Sequence, residues 1–335
     1  MRDRDDAILL ERHVFDTARL MAEHPPRLRH GHKKVVFELA CPPGCRHAGE
    51  IRYSRWSALE LPRKLEIVGA SSRVETRVGV FDYAPSRESG PAVEWHVNFA
   101  DPHLFVAYGG PLFAQDEMQV AEHPALGAVR EALEAAGSPT LTEAFGEPTP
   151  VLLMGVERRC QIATDADPAA GRPQGLYGNR FARAEIDVVR RAVTPIDPPT
   201  VTNFIAMAAP AGGSDFYDVY DIEKILVTAC TGFRAAVRES ARPDDPTVVV
   251  HTGFWGCGAF GGNRVLMTLL QILAARLAGV HHLVFHTVDP LGVPVVKEAC
   301  AHADSLAAGG SPRGKGELIG AIEAMGLRWG VSDGN

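Results

Sequence analysis

His251-Thr252-Gly253-Phe254-Trp255-Gly256-Cys257-Gly258-Ala259-Phe260-Gly261-Gly262-Asn263 places five glycines between two apolar segments. Upstream, Thr247 and three successive valines to Val250 read as a buried strand. Downstream, Asn263 opens a long apolar helix that ends near Gly279. A strand, a glycine loop and a helix in that order make a place where a chain can hold a diphosphate. The first N–H groups of a helix lack intrahelical partners, the helix dipole adds positive potential, and glycine lets backbone come close to phosphate.

Two common nucleotide-binding patterns ask for more than glycine. A Walker-type loop needs Gly-Lys-Ser/Thr, and Gly261-Gly262-Asn263-Arg264 does not supply it. Gly256 to Gly261 does fit Gly-x-Gly-x-x-Gly, but the ribose-binding acid expected about twenty residues on is missing. The nearest candidate, Asp289, stands 28 positions beyond Gly261. An NAD-dependent oxidoreductase is therefore disfavoured.

A second stretch carries carboxylates: Val97-Asn98-Phe99-Ala100-Asp101, then Ala107-Tyr108-Gly109-Gly110-Pro111-Leu112-Phe113-Ala114-Gln115-Asp116-Glu117. Together, this stretch and the Trp255–Gly262 loop followed by Leu270-Gln271-Ile272-Leu273-Ala274-Ala275 resemble the poly(ADP-ribose) glycohydrolase family, as a divergent member. The family pattern is Val-Asp-Phe-Ala-Asn, a glycine triplet, a spacer and Gln-Glu-Glu. Here Asp101 replaces the final Asn and only Gly109 and Gly110 remain of the triplet. Four residues separate them from Gln115, a tighter loop, and Asp116 replaces the first Glu. Glu117 aligns with the catalytic Glu.

The resemblance implies an elaborated macrodomain, a three-layer α/β/α fold with a mixed central sheet, and cleavage of a ribose glycosidic bond with no cofactor and no metal. Glu117 and Asp116 are the catalytic candidates. Asp82, Asp101, Gly109, Gly110, Gln115, Gly253, Trp255, Gly256, Cys257, Gly258, Ala259, Phe260 and Phe285 are the candidates for contacting ADP-ribose. Gln115 and the Gly109-Gly110 turn are expected to orient the distal ribose. Phe81-Asp82 stands where relatives place the Ile-Glu that contacts adenine, and Phe285 or His286 substitutes for a stacking aromatic.

Chemistry asks for what these residues offer. Breaking a ribose–ribose bond needs a proton on the departing oxygen and stabilisation of an oxocarbenium-like centre while water arrives. One buried carboxyl can serve as acid and then base if desolvation and a neighbouring charge raise its pKa. Taken singly, Asp116-Glu117 fits a solvated helix face, Gly109-Gly110 a turn, and Phe254, Trp255 and Phe260 core aromatics. Cys257 has no base beside it and reads as a small buried side chain. The combination of two loops in order overturns these readings. Two functions stay open: an ADP-ribosyl glycohydrolase, and a reader module that binds ADP-ribose without cleaving it.

Composition bounds the rest. The chain has 335 residues, 46% of them hydrophobic, enough for one elaborated domain. A net charge of −7 argues against a broad nucleic-acid-binding surface, so an anionic substrate must be held by local dipoles. Six cysteines with no leader ahead of them suggest reduced thiols and a cytoplasmic setting, and a monomer is expected. No segment reads as a membrane span, because Gln271 and Arg276 interrupt the longest apolar helix. The stretch His30-Gly31-His32 through Cys41-Pro42-Pro43-Gly44-Cys45-Arg46-His47 offers zinc-type ligands, but its spacing matches no common finger and a Pro-Gly turn is the simpler account.

Pattern breaks divide the chain into an accessory region over 1–90 packed on the core, a macrodomain-like core over 91–310, and a short helix and tail over 311–335. Residues 7–24 read as an amphipathic N-terminal helix ending before Pro25-Pro26. Strands are expected at 93–99, 149–156, 184–189, 203–208, 247–252 and 283–288. Helices are expected at 126–136, 222–239, 263–279 and 293–307, with an exposed loop over 164–179 and linkers over 311–316 and 332–335.

Overall fold

A computed structural model describes residues 8–61, 64–65, 72–86, 88–308 and 313–334. In chain order its elements are β1 (Leu9–Asp16), α1 (Thr17–Glu23), α2 (Gly31–Ala40), β2 (Glu50–Trp56), β3 (Lys64–Leu65), β4 (Arg73–Arg77), β5 (Ala92–Ala100), α3 (Gln115–Glu122) and α4 (Ala125–Ala136). Then come β6 (Glu143–Ala144), β7 (Glu147–Pro148), β8 (Val151–Ile162), α5 (Arg180–Arg183), α6 (Ile186–Ala192), β9 (Val193–Ala208) and α7 (Val219–Ser240). The last are β10 (Thr247–Gly253), α8 (Arg264–Ala278), β11 (His282–His286), α9 (Gly292–Ala307), β12 (Arg313–Gly314) and α10 (Lys315–Glu323).

The main sheet has eight strands in the order β1-β2-β8-β9-β5-β10-β11-β4. β1, β2, β8 and β9 pair antiparallel, and the run β9-β5-β10-β11-β4 is parallel. Alternation of side chains sorts the core into two layers. Val93, Trp95 and Val97 of β5, with Ile205 and Met207 of β9, join α7, α8 and α10 on one face. Phe204 and Ala206 join α1 and α4 on the other. The expected three-layer α/β/α arrangement with a mixed sheet is therefore present.

Five parallel strands deliver their carboxyl ends to one edge, since Ala208 lies beside Ala100, Gly253 beside His286 and His286 beside Arg77. Ligands of open α/β sheets bind outside that edge. β5 and β10 are direct neighbours in register from Ala92 with Thr247 to His96 with His251. The carboxylate stretch and the glycine loop therefore leave the sheet from adjacent strands, about 5 Å apart.

Two expected elements are corrected. Residues 7–24 do not make one helix: β1 pairs with β2, and Asp16 then caps α1 by accepting from Arg19 N at 2.8 Å. The ladder at the sheet edge outweighs helical periodicity there, and Asp16 was the sequence signal for the later helix start. Residues 184–189 form no strand; Val188 and Val189 lie in α6, where both are buried beside Phe181 and Cys160. The residues expected to form an accessory region contribute β1, β2 and β4 to the main sheet. Of the linker expected over 311–316, residues 311 and 312 lie outside the described residues.

Candidate active site

The carboxylates sit at the start of α3, which follows β5 after the loop of residues 101–114. Successive helical residues point about 100° apart, so Asp116 and Glu117 face different partners. Asp116 turns inward, where Asn98 of β5 donates from Nδ2 to its Oδ1 at 2.9 Å and to Gln119 Oε1 at 2.9 Å. Glu117 reaches back to accept from Ala114 N at 2.9 Å. Both are nearly excluded from water, with 7% and 3% of their surface exposed.

Burial raises the pKa of both. For Asp116 the neighbouring charge of Glu117 adds to desolvation, while the Asn98 hydrogen bond and Lys33 oppose it. For Glu117 desolvation outweighs Lys33 and the N–H groups at the helix start. The dipole of α3 also favours the ionised forms, so removal from water has to overcome it. A carboxyl held protonated near neutral pH can deliver a proton, which a solvated one cannot do well.

Lys33 supplies the counter-charge. This α2 residue is itself buried, donates from Nζ to Tyr108 O at 3.1 Å and lies 4.8 Å over the Phe113 ring. Burial pulls its ammonium pKa down to about 8 against the pull of Glu117 and Asp116. Sequence reasoning missed Lys33, because nothing local in α2 marks it. Gly109 explains how α2 is held: its carbonyl accepts from Arg29 N and His30 N at 2.9 and 3.0 Å, and a Cβ there would stand 2.4 Å from Arg27 O. Gly109 and Gly110 thus form a turn that docks the 27–30 segment.

Gln115 is tied to the sheet. Its Oε1 accepts from Phe99 N at 2.8 Å and its Nε2 donates to Val97 O at 3.0 Å. The amide extends the hydrogen bonding of β5. Asp101 is half-exposed and accepts from His103 N at 2.8 Å, and its charge adds to that of the acid pair.

Across the site, the glycine loop joins β10 to α8. Asn263 caps α8, its Oδ1 accepting from Val265 N and Leu266 N at 3.0 and 3.1 Å. Those helical N–H groups, expected to serve an anion, are therefore occupied. The loop itself provides instead: the N–H groups of Gly256, Gly258, Ala259 and Phe260 donate to no protein acceptor among the described residues. Close approach fixes two glycines here. A Cβ on Gly256, at φ +74°, would meet Ala209 Cβ at 2.5 Å, and one on Gly262 would meet Gly256 O at 2.8 Å. Trp255 is core, donating from Nε1 to Met207 O at 3.0 Å. Burial holds the Cys257 thiol up at about 12, which leaves no thiolate for nucleophilic work.

Tyr177 links the two halves. Its hydroxyl lies beside the Gln115 backbone, and desolvation of that hydroxyl together with the charges of Asp333 and Glu117 pushes it up to about 12. The same hydroxyl lies 4.0 Å from where a Cβ of Gly258 would stand. The 326–334 segment borders the loop: Gly330 N donates to Gly261 O at 2.7 Å, Asp333 N to Gly258 O at 3.3 Å, and Trp329 stacks on Tyr217 at 4.1 Å. A cleft of about 390 Å³ lined by Tyr177, Arg180, Arg183 and Asp333 adjoins this point. Neither Tyr177 nor the 326–334 segment was marked by the sequence, which read 164–179 as loop and 332–335 as tail.

On the far side, Phe81 meets His286 edge-on at 4.9 Å and His96 at 5.4 Å, and Asp82 lies close enough to influence His286 electrostatically. His286 bonds His251 at 3.2 Å, and His251 bonds Glu94 at 2.9 Å. Phe285 does not take part. Alternation along β11 sends it to the opposite face, fully buried against Phe254 and Val296. Phe99 connects this side to the loop, its ring 3.4 Å from the Cβ position of Gly253.

Comparison with known proteins agrees with this geometry in part. Residues 177–291 match the sequence model of a family described as poly(ADP-ribose) glycohydrolase, Macro domain fold. The match takes in Tyr177 and the glycine loop and leaves the carboxylate stretch outside. No curated protein matches the sequence. Among solved structures, a point mutant of poly(ADP-ribose) glycohydrolase from Deinococcus radiodurans in complex with ADP-ribose is 13% identical, with a TM-score of 0.42, covering 88% of this chain and 95% of that one. The same organism's protein in complex with ADP-ribose in another crystal form gives 14% identity, a TM-score of 0.40 and coverage of 89% and 94%. Its apo form gives 11%, 0.37, 88% and 93%. Across residues 177–291 the chain is thus similar in sequence to the poly(ADP-ribose) glycohydrolase family, whose fold is that of the macro domain.

Proposed function

We propose that this protein is an ADP-ribosyl glycohydrolase acting on poly(ADP-ribose) or a related O- or N-linked ADP-ribose, as a cytoplasmic monomer. One observation carries the reading: a buried glutamic acid with a raised pKa opens α3, and Tyr177 joins that helix start to a loop of unpartnered amides. In this reading the amides of Gly256, Gly258, Ala259 and Phe260 hold the diphosphate. Adenine lies toward Phe81, Asp82 and His286. The distal ribose then extends toward α3.

Glu117, protonated in the resting site, donates its proton to the departing glycosidic oxygen as the C–O bond breaks. The resulting carboxylate, with Asp116 and Asp101 near it, stabilises the positive charge developing at the anomeric carbon. Water then adds there and yields its proton to Glu117, which restores the acid. Lys33 opposes the rise that burial imposes on both carboxyls. Among the described residues no helix is long and apolar enough to cross a membrane.

The test is Glu117→Gln, which preserves shape and hydrogen bonding but cannot deliver the proton. ADP-ribose should still raise the melting temperature of the variant, while release of ADP-ribose from an ADP-ribosylated substrate falls by about 10² or more. Unchanged turnover would overturn the assignment. Binding without turnover in the wild type would leave a reader module.

A further inference from the structure

On the opposite side of α2 from Lys33 lies a group that the proposed chemistry does not use. Cys41 ends α2, Cys45 follows across a turn closed by Cys45 N donating to Pro42 O at 2.9 Å, with Gly44 at φ +83°, and His47 comes two residues later. Their ligand atoms all lie within 4.8 Å of one another. From this we propose that Cys41, Cys45 and His47 bind a zinc ion.

The Cys45–His47 separation fits a shared metal ion as well as it fits a hydrogen bond. Zn–S near 2.3 Å and Zn–N near 2.05 Å at a tetrahedral angle put sulfur and nitrogen about 3.6 Å apart. Cys45 Sγ and His47 Nε2 are 3.7 Å apart. The imidazole is also oriented as a ligand. Glu157 of β8 accepts from His47 Nδ1 at 2.8 Å and from Ala48 N at 3.0 Å, which fixes the proton on Nδ1 and turns the Nε2 lone pair to the sulfurs. A carboxylate behind a histidine is the usual support of a zinc ligand, and both side chains are largely shielded, at 11% and 8% exposure.

Charge balances as well. Two thiolates neutralise Zn²⁺, and Glu157 is offset by Arg159, whose Nη1 lies 3.4 Å from its Oε2 and donates to Arg46 O at 3.1 Å. Three protein ligands leave the fourth position to water. The ion would clamp the 41–48 segment to β8 and fix the end of α2, the helix that carries Lys33.

The wild-type protein, produced with added zinc and purified without chelator, should contain one zinc per chain by elemental mass spectrometry. Cys45→Ala and His47→Ala should lose it, and Glu157→Gln should bind zinc about 10–100-fold more weakly. Should those variants fail to fold, chelator-stripped wild type titrated with Co²⁺ gives an independent reading: thiolate-to-cobalt absorption in the near ultraviolet, saturating at one equivalent. Absence of zinc as purified together with no cobalt absorption overturns the proposal. So does zinc retained by Cys45→Ala, or a Cys41–Cys45 disulfide in freshly reduced and desalted protein that no added metal prevents.

Discussion

The two sides of the cleft handle charge in opposite ways. At the start of α3, side chains carry it: two carboxyls and an ammonium are buried together, each shifted from its ordinary value by lost hydration. In the 253–263 loop there is none, and polarity comes from backbone N–H groups that glycine leaves accessible. The contrast separates two tasks. A group that must change protonation has to be titratable and desolvated, whereas a group that holds a permanent anion is better made of dipoles that cannot titrate. Identity should therefore matter at α3, and size in the loop.

Three changes would break or sharpen that contrast. The largest effect on binding is expected from Gly262→Val. Its new side chain begins 2.8 Å from Gly256 O, so the loop must open, at a strain of about 1–3 kcal/mol. ADP-ribose affinity measured by calorimetry should fall tenfold or more, the reverse of the Glu117→Gln pattern. If Gly262→Val binds normally, the cradle lies elsewhere.

Lys33→Met should act on pH rather than affinity. Activity requires protonated Glu117, so it is present below the raised pKa and lost as pH rises through it. Removing the ammonium favours the protonated form further. The alkaline limb of kcat/KM should therefore move to higher pH, and an unmoved limb would place the titrating group away from Lys33. Tyr177→Phe should be mildest. It removes a hydroxyl that lies beside the Gln115 backbone, a change on the scale of one hydrogen bond, about 0.5–1.5 kcal/mol, and should lower kcat/KM by roughly threefold to tenfold without shifting the pH profile.

The legibility of these regions in the sequence differed for a physical reason. The glycine loop is local: strand, loop and helix cap are contiguous, and Val248–Val250, Gly256–Gly262 and Asn263 announce them in order. The acids were also visible, because Asp116 and Glu117 follow the Gly109-Gly110 turn within one short stretch of chain after β5. What was hidden depends on long-range partners. Lys33 acts electrostatically on Glu117 from 84 positions away, Glu157 meets His47 from 110, and Trp329 stacks on Tyr217 from 112. Gln115 was visible but its bonds to β5 were not, since a side-chain amide that completes a strand looks the same in sequence as one that holds a sugar. Phe285 and His286 exchanged roles for a similar reason: strand register, which alternates every residue, decides which of two neighbours faces the cleft.

The turn at Gly109 gives the first forty residues a stake in catalysis. By taking two N–H groups from Arg29 and His30 it anchors α2, and with α2 comes the ammonium that offsets two acids from a different part of the chain. A fragment trimmed to begin at residue 91 would keep the cradle and both carboxyls. It would lose their electrical counterweight together with β1, β2 and β4 of the main sheet and the Phe81 ring against His286.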